Sequence, residues 1–188
     1  MSELLTTLVS RFLRDREAFM RDWKDPVLLF QPRPRPPGAP VADPEEDRYR
    51  LQTASGVGVP SFGGNEALIF PVRKVRENAF PRGITVGRTR NNDVILEDAS
   101  VSRFHAWFAR AENEGPWQLC DAGSRNGTSV DAARLVPRKP WNLRDGAQLE
   151  VGRIHLTFLL PEGLFSLLRG PSPGGGGAGS LHTSGRVA

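Results

Sequence analysis

The sequence predicts an all-β sandwich in the middle of the chain, between about residues 66 and 161. Short runs rich in β-branched and aromatic residues recur there, separated by turn signals such as Asp145-Gly146. Two runs, 147–151 and 154–160, alternate between apolar and polar residues, as strands with one buried face do. Many short strands with regularly spaced turns favour two packed antiparallel sheets.

The amino-terminal stretch, residues 1–25, predicts an amphipathic helix. Its apolar side is formed by Leu5, Leu8, Phe12 and Phe19. We expect Ser2 to cap the helix and Asp25-Pro26 to end it, because proline disfavours helical geometry in the preceding residue. We expect the helix to pack on the main domain. The alternatives are docking into a partner's groove and self-association through residues 2–23.

The segments on either side of the sandwich are predicted to be irregular. Residues 26–65 read as a Pro/Gly-rich linker, since prolines in QPRPRPPGAP favour extended polyproline geometry. GVGVPSFGG, residues 56–64, is not a dinucleotide-binding fingerprint, because its third glycine is misplaced and no helical pattern follows. Residues 162–188 are expected to form a short helix or turn and then a disordered, flexible Gly-rich tail.

The composition argues against several classes of protein. A single cysteine, Cys120, cannot close an internal disulfide or build a zinc site alone, and we expect no metal and no cofactor. No run approaches the roughly 18 apolar residues of a membrane span, and no secretory signal is recognisable, so we expect a cytoplasmic protein without membrane contact. Despite the net charge of +4 we expect no nucleic-acid partner, because acids alternate with the arginines over most of the chain; a basic nucleic-acid binder is kept as a rival hypothesis.

Four short motifs follow one another in the middle region. They are Gly-Arg at 87–88, Asn-Asp-Val-Ile-Leu at 92–96, Ser-x-x-His at 102–105 and Asp-x-x-Ser-x-Asn-Gly-Thr at 121–128. Together they resemble the forkhead-associated (FHA) domain, a phosphothreonine-binding β-sandwich, and we expect a bacterial member. Each motif alone is weak, but their order and spacing inside an all-β pattern are specific. The resemblance covers roughly half the chain.

The resemblance implies a role for each matching residue. Arg88 would reach the phosphate, the Ser102 hydroxyl would donate to it, Arg103 and Arg125 would add contacts, and Asn126 would hold the bound peptide's backbone. Structural support of this site is expected from Gly87, His105, Gly127 and Thr128. In the family the histidine braces the loops and does not touch the ligand.

The residue types suit that ligand. A phosphothreonine carries about −1.5 to −2 charges and three strong acceptor oxygens. Arginine offers a planar fork of donors that matches phosphate, and a serine hydroxyl adds a compact donor. A catalytic Ser102/His105 pair is not expected, because the local sequence offers it no acid partner. We therefore expect a non-enzymatic binding module.

The predicted function is a phosphothreonine reader in signalling downstream of a Ser/Thr kinase. Its partner would be a phosphothreonine-containing protein, either a Ser/Thr kinase or a substrate of that kinase, with specificity set by variable loops such as residues 129–140. The alternative is a degenerate FHA scaffold that binds or dimerises independently of phosphate. A regulatory hypothesis is that Thr6 or Thr7 becomes phosphorylated and occupies the pocket in cis.

Overall fold

The computed structural model describes residues 2–32, 67–77, 80–81, 83–111 and 115–170. The strands in these ranges are β1 Glu3–Leu4, β2 Val27–Phe30, β3 Leu68–Pro71, β4 Ile84–Gly87, β5 Val94–Ile95, β6 Ala106–Arg110, β7 Trp117–Asp121, β8 Thr128–Val130, β9 Ala133–Arg134, β10 Trp141–Asn142, β11 Ala147–Val151 and β12 Ile154–Leu159. The helices are α1 Leu5–Arg14, α2 Arg16–Asp22 and α3 Pro161–Arg169.

The strands form two sheets, which confirms the predicted all-β sandwich. One sheet has the strand order β1-β3-β2-β12-β11-β8-β9, and the other has the order β10-β7-β6-β4-β5. Neighbouring strands pair antiparallel except for β4 and β5, which are parallel. The inner faces meet through large side chains such as Phe108 of β6 and Phe158 of β12, whose ring centroids are 5.9 Å apart.

The core between the sheets follows the alternation seen in the sequence. Ala147, Leu149 and Val151 of β11 are buried, whereas Gln148 between them is exposed. Each fully buried large apolar side chain contributes about 1.5–3 kcal/mol of transfer free energy. The two-residue turn between β8 and β9 has positive φ at Asp131 and Ala132, the geometry that lets a tight hairpin follow the strand twist.

The amino-terminal segment differs from the predicted single helix. Asp15 separates α1 from α2, and its Oδ1 accepts a hydrogen bond from the Ala18 N–H at 2.9 Å. This carboxylate caps α2, so the chain turns there. Ser2 is not the cap of α1, because Glu3–Leu4 pair with β3 as a short strand and the helix begins only at Leu5.

The apolar face of the two helices is buried within this chain. Leu8 and Phe12 have no solvent exposure and pack in one cluster with Phe19 and with Leu164 and Phe165 of α3. The expectation that the helix packs on the main domain matches this arrangement. The face that a partner's groove or a second copy would need is already covered.

Strand β2 lies inside the stretch predicted as linker, so the prediction of an irregular segment is wrong at residues 27–30. It occupies the interior of its sheet, between β3 and β12. Leu28 points into the sandwich core while Val27 and Leu29 point into the helical cluster on the other side of the sheet. Because both faces are buried, the strand has no polar alternation to reveal it. The rest of the predicted linker from residue 33 lies outside the described residues.

The carboxy-terminal stretch begins with helix α3. Proline at its first position suits a helix start, and the Asp145 Oδ1 accepts the Leu160 N–H at 2.7 Å. Gly163 leaves room for that carboxylate, since a Cβ there would overlap it. The helix ends at Gly170, with φ of +72°. The predicted tail from residue 171 lies outside the described residues.

Within the described ranges, no helix is both long and apolar enough to cross a membrane. The same ranges contain no group of three His, Cys, Asp or Glu side chains placed to hold a metal ion.

Candidate functional site

Three loops meet at one end of the sandwich and enclose a cavity of about 670 Å³. The loops follow β4, precede β6 and follow β7. Their side chains in the cavity wall include Arg88, Ser102, Arg103 and Arg125. Four of the five predicted binding residues therefore lie together, although up to 37 positions separate them in the chain.

The cavity is positively charged. Arg88, Arg103 and Arg125 are exposed, and none of their guanidinium groups forms an ion pair with another described residue. None of the described residues that line the cavity is acidic. Three cations held around one cavity repel each other, and an anion between them would relieve that repulsion.

The Ser102 hydroxyl is oriented by the loop opposite it. Its Oγ accepts a hydrogen bond from the Arg125 backbone N–H at 3.1 Å. Because that contact uses an oxygen lone pair, the hydroxyl proton is left to donate to an acceptor in the cavity. The Arg88 N–H also donates to the Ser102 carbonyl, at 3.1 Å, so the first two loops are joined through their backbones.

His105 braces two of the loops from below. Its Nδ1 accepts the Ser102 N–H at 3.0 Å, and its Nε2 lies 3.1 Å from the Gly127 carbonyl. The first contact requires a bare Nδ1, so the ring is neutral with its proton on Nε2. Burial lowers the pKa of His105, against the raising effects of the Gly127 carbonyl and of Asp121. With both nitrogens engaged by backbone groups, this histidine cannot serve Ser102 as a base.

Asn126 lies outside the cavity wall, unlike the other predicted binding residues. Its Nδ2 donates to the Ser100 carbonyl at 2.7 Å, and its own carbonyl accepts from the Arg134 guanidinium at 3.0 Å. Gly127 follows with φ of +81°, in the left-handed region that favours glycine. These contacts fix the third loop against the second. The expected contact of Asn126 with a peptide backbone remains a prediction.

A buried carboxylate organises the third loop. Asp121 accepts hydrogen bonds from the Ser124 and Thr128 hydroxyls at 2.6 and 2.5 Å and from the Gly123 and Ser124 N–H groups. Burial alone would raise the pKa of Asp121, but these hydrogen bonds hold it below its usual value. The Asp-x-x-Ser-x-Asn-Gly-Thr motif is therefore a turn that closes around its own first residue.

Gly87 and Asn92 bring the first loop against the second. A Cβ on Gly87 would overlap the Arg103 carbonyl, so only glycine allows this approach. The buried Asn92 side chain donates to the Arg103 carbonyl at 2.7 Å and to the Thr89 carbonyl at 2.8 Å. Asn92 belongs to one of the sequence motifs, but its role could not be predicted because its partner lies 11 positions further along the chain.

Asp93 anchors the same loop to the segment that precedes β4. Its carboxylate accepts the N–H groups of Val75, Arg76 and Thr85, the Thr85 hydroxyl, and the Lys74 Nζ at 3.0 Å. Burial would raise the pKa of Asp93, but hydrogen bonds from Thr85, Val75 and Lys74 lower it to about 2. No sequence pattern predicts this role of Asp93.

Comparison with known proteins agrees with the motifs. The model of the FHA domain family matches residues 84–152. The oxoglutarate dehydrogenase inhibitor of Corynebacterium efficiens is 40% identical over 40% of this chain and 49% of its own. That of Corynebacterium jeikeium is 34% identical over 56% of this chain and 73% of its own. The glycogen accumulation regulator GarA of Mycolicibacterium smegmatis is 38% identical over 40% of this chain and 44% of its own.

The chain belongs to the FHA domain family, and its sandwich with three converging loops is the fold that the resemblance implies. It spans about half the length of two of these three relatives.

Proposed function

We propose that this protein binds a phosphothreonine in a flexible segment of a protein partner. The observation that carries the proposal is that three arginines, Arg88, Arg103 and Arg125, line one cavity together with Ser102, and that no acidic residue is among the described residues of its wall. A dianionic phosphate with three acceptor oxygens is the ligand that this donor set fits.

The expected affinity follows from the number of contacts. Each charge-assisted hydrogen bond contributes roughly 1.5–3 kcal/mol net. Three or four such bonds, less the cost of ordering a peptide, amount to about −8 kcal/mol, which is a Kd near 1 μM. This strength suits a reversible signalling contact that a kinase creates and a phosphatase removes.

Binding without catalysis is the second part of the proposal. The buried His105 has both ring nitrogens engaged by backbone groups, so the Ser102 hydroxyl has no base beside it. The relatives named above are an inhibitor and a regulator, which supports action through binding. We place the protein in the cytoplasm, downstream of a Ser/Thr kinase that phosphorylates the partner.

One titration series tests the proposal. Three otherwise identical peptides, carrying phosphothreonine, phosphoserine or plain threonine, are titrated by isothermal calorimetry against the natural protein. The same peptides are titrated against Arg88→Ala and the control Arg153→Ala. Arg153 belongs to the second Gly-Arg pair of the sequence and is exposed outside the cavity wall. Its backbone N–H donates to the Ser100 hydroxyl at 2.9 Å, a contact that alanine keeps, so Arg153→Ala reports the loss of a nearby arginine side chain that does not line the cavity.

We expect phosphate-dependent binding that Arg88→Ala weakens at least tenfold, or about 1.4 kcal/mol, and that Arg153→Ala leaves within twofold. Phosphoserine should bind more weakly than phosphothreonine, because the family resemblance implies a small apolar notch for the threonine methyl group. Equal binding of all three peptides would favour the phosphate-independent scaffold and end the proposal. Binding to RNA or DNA that falls steeply with salt would point to the nucleic-acid alternative.

A further inference from the structure

The loop between β9 and β10 carries exposed apolar and basic side chains next to each other. Val136 is 62% exposed, and Trp141, on the edge strand β10, is 43% exposed. Arg138 and Lys139 between them are exposed, and neither forms an ion pair with another described residue. None of these four is among the described residues that line the cavity. We call Val136, Arg138, Lys139 and Trp141 the turn surface.

The backbone that carries the turn surface is fixed at both ends and in its middle. The flanking residues Leu135 and Leu143 are buried in the sandwich core. The Leu143 N–H donates to the Trp117 carbonyl at 2.7 Å, and the Arg138 N–H donates to the Asp121 carbonyl at 2.8 Å. A surface whose backbone is already held in place loses little conformational freedom when a partner binds.

Arg138 has a backbone conformation that usually belongs to glycine. The Lys139 N–H donates to the Val136 carbonyl at 3.2 Å and closes a four-residue turn with Pro137 second and Arg138 third. The φ angle of Arg138 is +64°. Glycine or asparagine is preferred at the third position of such a turn, because other side chains are strained there. Backbone strain of this kind persists where the side chain serves a function, so the guanidinium at this position points to a ligand.

The charge around the turn surface is positive and is not balanced within the loop. Residues 132–143 contain three basic residues and no acidic one. Of the three, Arg134 is engaged with the Asn126 carbonyl, which leaves the two cations of the turn surface. Asp131, which precedes this stretch, pairs instead with Arg144 at 3.1 Å. A ligand with carboxylates would therefore complement this surface.

We propose that the turn surface binds an acidic segment of a protein partner that also places an apolar side chain against Trp141. Tryptophan and arginine are the residues that contribute most often to binding energy in protein interfaces. Two unpaired cations suit a short acidic segment, whereas nucleic acids and membranes are bound by wider basic areas. The segment needs no phosphate, so this inference goes beyond the proposed function, and both ligands can be bound at once.

An NMR titration of the whole chain tests the turn surface. The probe is a short peptide of aspartate, glutamate and leucine, with no residue that a kinase could phosphorylate. The chain has four tryptophans, and Trp141→Ala identifies which indole N–H signal belongs to Trp141. Affinities are measured for the natural protein, Trp141→Ala and Arg138→Gly. The matched control is Arg14→Ala, because Arg14 is exposed on α1, whose buried face packs on the other sheet.

We expect the acidic peptide to shift the Trp141 indole signal and the amide signals of residues 136–142. Trp141→Ala and Arg138→Gly should each weaken binding at least fivefold, and Arg14→Ala should leave it within twofold. Arg138→Gly should do so with an unchanged or higher Tm, because glycine adopts positive φ freely. A saturating phosphothreonine peptide flanked only by alanines should not displace the acidic peptide.

Absence of shifts at residues 136–142 would overturn the proposal. Displacement of the acidic peptide by the phosphothreonine peptide would also overturn it, because both peptides would then occupy the cavity. Tighter binding of single-stranded RNA or of phosphatidylserine vesicles through the same residues would refute an acidic protein segment as the occupant. The proposed function is judged separately, by whether the phosphothreonine peptide binds and its unphosphorylated form does not.

Discussion

The carboxylate of Asp93 is the sharpest target for a stability measurement. Its side chain is fully buried and accepts five hydrogen bonds from groups in the described part of the chain, three of them from backbone N–H groups. Its pKa in the folded protein is about 2, against 3.8 for the free group. One pKa unit corresponds to 1.36 kcal/mol, so the charge contributes about 2 kcal/mol of stability at neutral pH.

The sign of the pH dependence follows from the lowered pKa. The folded state favours the ionised carboxylate, so the contribution is fully present above about pH 4–5 and disappears as the pH falls through about 2. Asp93→Asn removes the charge at every pH. We therefore expect the variant to be less stable than the natural protein by at least about 2 kcal/mol at pH 7, and this difference to shrink steadily between pH 4 and pH 2.

The assay is urea unfolding followed by tryptophan fluorescence, with the free energy of unfolding extracted at pH 7, 5, 3.5 and 2.5. In thermal unfolding, this difference in the free energy of unfolding at neutral pH corresponds to a Tm lower by about 4–8 °C for a chain of this size. Asp22→Asn is the matched control, because Asp22 is 68% exposed and pairs only with its neighbour Arg21. Removing the charge of Asp22 should lower the free energy of unfolding by less than about 0.5 kcal/mol. A difference for Asp93→Asn that is the same at pH 7 and pH 2.5 would refute the reasoning.

Two further substitutions test how the loops are held. Gly87→Ala places a Cβ that overlaps the Arg103 carbonyl, and the backbone cannot move aside. We therefore expect the free energy of unfolding to fall by about 1–3 kcal/mol and phosphopeptide binding to weaken at least tenfold. Thr128→Val keeps the shape of a fully buried side chain but removes the hydroxyl that donates to Asp121. We expect the free energy of unfolding to fall by about 1–3 kcal/mol at pH 7 and by less in acid, measured by the same urea unfolding as for Asp93. An unchanged free energy of unfolding would show that Asp121 does not need this donor.

The strands that alternate could be predicted, and the strand buried on both faces could not. Residues 147–151 and 154–159 carry a local signal because one face of each meets the core. Val27–Phe30 carries none, because its neighbours β3 and β12 start 41 and 127 positions after it. The break at Asp15 did leave a signal, since an aspartate followed by Arg-Glu-Ala is a plausible new helix start, but the continuous apolar periodicity obscured it.

The meeting of the four arginine and serine residues at one cavity could be predicted from the motifs, whereas the residues that hold them in place could be predicted only in part. Arg88, Ser102, Arg103 and Arg125 occupy family positions and face one cavity. Arg134 braces the Asn126 carbonyl from strand β9, and no motif marks it. Bracing of this kind depends on which segments the fold brings together, which is information that a single sequence does not carry locally.

The positively charged side chains of the site are exposed, whereas the side chains that hold its loops in place are buried. This arrangement determines how binding depends on pH. The arginines keep their charge at any accessible pH. Burial lowers the pKa of His105, so the ring stays neutral to a lower pH than an ordinary histidine does. The unfolded chain does gain that proton below about pH 6.5, so the contribution of His105 to stability falls as the solution is acidified.

Between pH 5 and 8, the titrating group that matters for binding is therefore the phosphate of the ligand, whose second pKa is about 6. We expect phosphopeptide affinity to decrease below pH 6 in parallel with phosphate protonation measured by phosphorus NMR. A second transition that belongs to the protein in this range would mean that His105 titrates, and the bracing role assigned to it would be wrong.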